Sequence, residues 1–234
     1  MAQTPADFVL DNAIWFSLTT GHSDIAEGDG RARRYPIGVS PLGAIQDTSD
    51  ASFDALAALL QPNEEIALGS PTEILPTGGL EAFARMTLKQ MVRSSLSRPI
   101  PEQHVVPLGT ADVADMLTLI EITKPGPFRS RTHELGQYFG IRVDGRLVAM
   151  AGERLRPVGY TEISAVCTHP NYRGRGYGRG LVETLVRNII DRGNVPILHV
   201  EKDNQAASLY EAVGFSIRQT IHLIGLRKPN AVSS

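Results

Sequence analysis

Cysteine is nearly absent from this 234-residue chain: Cys167 stands alone, so no intrachain disulfide can form and no thiolate cluster can hold a metal. Charge of one sign is absent too. The net charge of −2 sets up no global field that would draw the chain to nucleic acid or an anionic membrane. No uncharged apolar run is long enough to span a bilayer. His104, His133 and His222 show none of the His-x-x-x-His spacing of a metal site, so no metal is expected. A Gly-x-x-x-x-Gly-Lys-Ser/Thr phosphate loop is also missing, which excludes the common nucleotide-triphosphate fold. The first residues, with Asp7 and Asp11 and no basic start, do not read as a secretion signal. With a single cysteine, they make a cytoplasmic location the expectation.

What the chain does have is a core. Hydrophobic residues make up 42% of it, enough for one large domain or two small ones. Residues 4–20 carry Phe8, Leu10, Ile14, Trp15 and Leu18 at amphipathic helical spacing. Arg31, Arg33 and Arg34 follow in a polar stretch and read as a solvated loop. A second helix is expected around Phe53, Leu56, Leu59 and Leu60, ended by Gln61-Pro62-Asn63, with a short strand at 64–68. Residues 80–95 fit helix or strand equally. Pro99 and Pro101 make 99–103 the best linker. The expected organisation is therefore a smaller α/β domain at 1–98 and a second domain at 104–234.

Beyond residue 103 the pattern sharpens. A short strand at 104–108 precedes a helix carrying Val113, Met116, Leu117 and Ile120. Strands follow at 138–143 and 147–155, joined by the hairpin dipeptide Asp144-Gly145. A β-branched run ends at Thr168 and is stopped by Pro170-Asn171. After a glycine-rich loop, Leu181, Val182, Leu185, Val186, Ile189 and Ile190 mark one buried helix face. A strand at 197–201, a short helix closed by Gly214 and a last strand from Phe215 complete the order β-α-β-β-β-α-β-α-β. That order predicts a mixed sheet with helices on its faces, of the α/β (α+β) class.

The loop Arg173-Gly174-Arg175-Gly176-Tyr177-Gly178-Arg179 carries the chemistry. Strand, glycine-rich loop and helix start together make an anion site. Glycines let backbone N–H groups approach a ligand, and the helix N-terminus adds partial positive charge. A phosphate or pyrophosphate is the expected ligand. The same run looks superficially like an arginine–glycine box for RNA. Such boxes repeat and stay disordered, whereas this one occurs once and opens a well-formed helix, so nucleic acid is not an expected partner.

Arg173-x-x-Gly176-x-Gly178, in that context, resembles the signature of the GNAT superfamily of acyl-CoA-dependent N-acyltransferases. Asn204, Ala207-Ser208-Leu209-Tyr210 and Gly214-Phe215 match a second landmark, and the element order matches over roughly residues 102–230. The first hundred residues look similar to the N-terminal extensions of some two-domain members. The resemblance implies acetyl-CoA as co-substrate, with its pyrophosphate on the backbone amides of Arg173 to Arg179. Its pantetheine would lie along Val166, Cys167 and Thr168, with Asn204 nearby. It implies Tyr210 as the acid that protonates the leaving thiolate. It also points to Glu162, eleven residues before the signature, as the base. His199 and Glu201, on one face of the fifth strand, are rival bases. Cys167 reads as a small apolar thiol beside the cofactor rather than a nucleophile. The implied reaction is direct acetyl transfer to a primary amine in a ternary complex, with the acceptor unidentified and assembly into an oligomer left open. A CoA-binding sensor or scaffold without catalysis is the alternative.

Overall fold

The computed structural model describes residues 7–95, 103–204 and 206–230. Most of the expected linker, 99–102, lies outside them. Helix α1 (Ala13–Thr19) is preceded by a 3-10 turn and capped by Asn12, whose side chain accepts from the Trp15 N–H. A small hairpin-like pair, β1 (Ala32–Arg34) and β2 (Gly43–Ile45), packs with α2 (Asp50–Leu59). Then come β3 (Glu65–Ser70) and β4 (Glu81–Arg93), which turns the ambiguous stretch 80–95 into a thirteen-residue strand.

The remaining elements keep the expected order. They are β5 (Val106–Leu108), α3 (Val113–Thr123), β6 (Tyr138–Val143), β7 (Arg146–Glu153), β8 (Tyr160–Thr168), α4 (Tyr177–Asp191), β9 (Val195–Glu201), α5 (Ala207–Ala212) and β10 (Phe215–Arg227). Eight strands form one mixed sheet in the order β3-β10-β4-β9-β8-β7-β6-β5. Strands from both sides of the expected linker thus interleave. β4 sits between β9 and β10 and is antiparallel to both. This is why local pattern could not decide 80–95: its hydrogen-bond partners lie more than a hundred residues away.

Each face of the sheet has its own cover. On one, the apolar stripe of α4 (Leu181, Leu185, Ile189) packs on Met91, Ile163 and Leu198. On the other, Leu10, Ile14, Leu18, Tyr35 and Val39 from the N-terminal segment pack on Leu155, Tyr160 and Ile197. Polar contacts hold that segment down. The Thr132 hydroxyl donates to the Val39 carbonyl at 2.6 Å, and Gln90 Nε2 donates to the Leu10 carbonyl at 2.9 Å. His22 Nε2 donates to the Leu135 carbonyl, while its Nδ1 meets the Tyr35 hydroxyl and Ser17. Burial lowers the His22 pKa to about 4, so this knot is held by a neutral imidazole.

One junction positions the site. β8 and β9 are the parallel pair, yet they pair only from Tyr160↔Val195 to Glu162↔Ile197. Against β7, the β8 stretch between Ser164 and Cys167 has one residue more than its partner, and Ala165 adopts φ +53° there. This β-bulge bends the strand and re-aims its last residues, Val166 to Thr168. Beyond Glu162 the β9-facing edge of β8 has no strand partner among the described residues, and the sheet opens into a wedge.

Candidate active site

The wedge is a groove of about 660 Å³, open to the surface. Val166, Cys167 and Thr168 form one wall, and Asn204, Leu209 and Tyr210 the opposite one. Thr123 to Pro125 border it, and Gly174 and Gly176 to Arg179 close one end. The sequence builds that end locally. A 3-10 turn, Pro170–Tyr172, follows β8. Gly174 (φ +77°) and Gly176 (φ +78°) then take left-handed conformations, and α4 starts at Tyr177. The N–H groups of a helix's first turn have no i−4 carbonyl to bond. Here that turn lines the groove, so donors and the positive end of the helix dipole meet there.

The arginines of the loop are largely committed elsewhere. Arg173 Nε donates to the Thr168 carbonyl, Arg175 stacks over the Tyr172 ring at 5.1 Å, and Arg179 pairs with Glu183 at 3.0 Å. An anion entering this end of the groove would be left mainly to the backbone N–H groups. A Cβ at Gly176 would meet nothing within 4 Å, so substitution there acts through the backbone and not through a clash. An L-residue held at this φ costs about 1–2 kcal/mol, and relaxation would turn the amides away. We expect Gly176→Ala to weaken acetyl-CoA binding about tenfold, equivalent to 1.4 kcal/mol, and to lower the melting temperature by no more than about 2–8 °C. Isothermal titration calorimetry checks this, and unchanged affinity would show that the donor does not depend on the backbone cradle.

Tyr210 is 8% exposed and packs edge-on against Phe215, with ring centroids 6.4 Å apart. Burial raises its hydroxyl pKa to about 12. Cys167 faces the same groove, and burial raises its thiol to about 11. At neutral pH it is a protonated, weakly nucleophilic thiol. Asn204 Oδ1 accepts from the Ala206 N–H, which ties the loop before α5.

Glu162 lies elsewhere, on the face beneath the N-terminal segment. It is fully buried, and its carboxylate takes two hydrogen bonds from Arg154, at 2.9 and 2.6 Å, and one from His199 Nδ1 at 2.8 Å. Burial alone would raise its pKa. Arg154 and then His199 outweigh burial and bring it down to about 2. Gln90 fixes the histidine tautomer. Its Oε1 accepts from Arg218 and Gln219, so its amide N–H groups point to the Leu10 carbonyl and to His199 Nε2, at 3.0 Å. His199 therefore carries its proton on Nδ1 and presents a lone pair on Nε2. Glu201, two residues on, borders the groove. Arg154, Gln90 and Arg218 had no signal in the sequence, because each joins the cluster from a separate element.

A mixed sheet split between two parallel strands, with a glycine-rich loop feeding a helix at the split, is the architecture of the acyl-CoA N-acyltransferases. Residues 138–223 match the family described as FR47-like protein. A GNAT-family structure from Novosphingobium aromaticivorans is 36% identical, with a TM-score of 0.87 over 95% of this chain and 99% of that one. A GCN5-related N-acetyltransferase from Kribbella flavida shares the fold at 16% identity, with a TM-score of 0.64 over 94% of this chain and 96% of that one. Over 98 residues the chain is 40% identical to the N-alpha-acetyltransferase RimI of Mycobacterium tuberculosis, a match covering 39% of this chain and 55% of that protein. The chain spans about half the length of the curated relatives it matches. The chain belongs to the GNAT family. No helix among the described residues is long and apolar enough to cross a membrane, and no group of His, Cys, Asp or Glu among them is placed to hold a metal.

Proposed function

We propose that this protein transfers an acetyl group from acetyl-CoA to a primary amine, directly, without a covalent acyl-enzyme. The observation that carries the reading is the wedge itself: the unpaired edge of β8 leads into a cradle of backbone N–H groups at the start of α4. A pyrophosphate suits the N–H cradle. The amides of a pantetheine arm suit the open strand edge along Val166 to Thr168, much as an added strand would.

Tyr210 is the proposed acid. The burial that raises the Cys167 thiol to about 11 in this groove would shift a leaving thiolate in the same direction, towards the Tyr210 phenol at about 12. Proton transfer between groups so matched needs little driving force. On the amine side, Glu162 is too weak a base at about 2 to take the proton itself. We assign it the task of holding the Nδ1–H of His199, so that Nε2 can accept from an amine N–H in place of Gln90. Cys167 keeps its proton and takes no acyl group. The name of the RimI relative, an N-alpha-acetyltransferase, supports an amine acceptor of this kind.

The test is release of free thiol from acetyl-CoA by purified protein supplied with pooled amines, amino acids and short peptides. Amine-dependent thiol release with matching acetylated product is the expected result. Tight acetyl-CoA binding with no release across the pool would reduce the protein to a CoA-binding module.

A further inference from the structure

A second cavity, of about 90 Å³, lies on the sheet face beneath the N-terminal segment. Leu10 and Ile14 line it from that segment, Leu42 and Leu155 from loops, and Ile221 and Leu223 from β10. Four polar side chains also reach it, and each is already engaged. Arg154 and His199 are bonded to Glu162, Gln90 bridges the Leu10 carbonyl and Arg218, and Asp11 pairs with Arg218 at 2.8 Å. A charged group entering this space would lose its hydration, and the buried charges it would meet, Arg154 and Glu162, are already paired with each other. A hydrocarbon group would lose only unfavourable contact with water.

The cavity adjoins the acyl-CoA groove along two short stretches of chain. Pro125 borders the groove and Pro127 the cavity. On β9, Glu201 borders the groove, while His199 and Leu88, the cross-strand partner of Glu201, border the cavity. An amine nitrogen at this junction would lie between the proposed base and the thioester end of the groove, with its side group in the cavity.

We propose that the acceptor is a primary amine whose carbon bears an apolar side group, aliphatic or aromatic, seated in this cavity. The proposal rests on the acetyl-transfer reading and names its substrate class. In the step, the acetyl carbon–sulfur bond breaks and a carbon–nitrogen bond forms. One amine proton passes to His199 Nε2, and the thiolate takes a proton from Tyr210; solvent then takes the proton from His199 and returns one to Tyr210. The same chemistry is offered by a free hydrophobic amine and by the first residue of a peptide with an apolar side chain.

The experiment compares kcat/KM for 2-phenylethylamine and n-hexylamine with that for ethanolamine and spermidine. A peptide arm compares tripeptides starting with Leu or Phe against those starting with Ser or Asp. The two arms separate a free amine from a peptide. At least a tenfold preference for the apolar member is expected in one arm. Gly69 on β3 lines the cavity, and a Cβ there would make ordinary contacts, 3.4 Å to Ile221 and 3.6 Å to Ile14. Gly69→Leu should raise KM for the preferred acceptor at least tenfold, and Gly69→Ala less, with acetyl-CoA affinity measured on both as the check that they fold. Polar amines turned over equally well, or an unchanged KM in folded Gly69→Leu, would overturn the cavity assignment and leave acetyl transfer standing. No transfer to any amine, despite acetyl-CoA binding, would overturn both.

Discussion

Tyr210→Phe is expected to lower kcat by about 10²- to 10³-fold, the usual contribution of a positioned acid, while leaving acetyl-CoA affinity unchanged. The substitution removes one oxygen and keeps the ring against Phe215, so packing of α5 on β10 survives. Binding of the donor is assigned to the backbone of the glycine-rich loop and the edge of β8, neither of which the phenol touches in the proposed scheme. The loss should therefore fall on the step in which the thiolate departs. Because burial holds the phenol at about 12, it stays protonated across the neutral and mildly alkaline range, and kcat should show no alkaline fall from this group below about pH 11. Steady-state thiol release paired with calorimetry decides the matter. A variant with wild-type kcat would take Tyr210 out of the acid role.

Arg154→Met is expected to cost about 3–5 kcal/mol of folding stability, the penalty for stranding one member of a buried ion pair. Glu162 is fully buried and draws two of its three hydrogen bonds from Arg154. The double variant Arg154→Met/Glu162→Met should recover much of the loss, because no uncompensated charge is then left inside. Urea denaturation at pH 7 measures both, and a loss below about 1 kcal/mol for the single variant would show that the pair is solvated like a surface ion pair. The same carboxylate shapes the acid limb. Its pKa is depressed from 4.5 to about 2 on folding, so its stabilisation is complete above 4.5 and is lost as the pH falls towards 2. In that window the unfolded chain binds the additional proton, and stability must fall with pH. Glu162→Gln should flatten the slope there by close to one proton.

Motif spacing gives Tyr210 and Glu162 paired roles, acid and base, yet the fold sets them in different surroundings. Tyr210 sits in the groove, where a spacing argument alone could place it, because α5 follows β9 by a few residues and its orientation is set nearby. For Glu162, distance to the glycine-rich loop suggests a base. Its environment comes from Arg154 across a turn, His199 on a neighbouring strand, and Gln90 from the N-terminal half. No spacing rule reports those three, and together they leave the Glu162 carboxylate bonded to Arg154 and His199 instead of free.

The chain's own order of residues determined the glycine-rich loop, the start of α4 and the run of strands and helices beyond residue 103. These depend on neighbours in sequence: a left-handed glycine, a helix cap, a two-residue hairpin turn, an apolar stripe repeating along one helix face. Only the tertiary structure decided that residues 81–93 form a strand between β9 and β10. It alone showed that β8 and β9 part after Glu162, and that the N-terminal segment roofs an apolar cavity beside the groove. Strand partners, wedge openings and buried charge networks are made by groups from distant parts of the chain, whose pairing energy is realised only when the sheet closes. The glycine-rich loop proposed to hold the donor is local and legible in the sequence; the cavity proposed for the acceptor is built from separate stretches of chain and exists only in the fold.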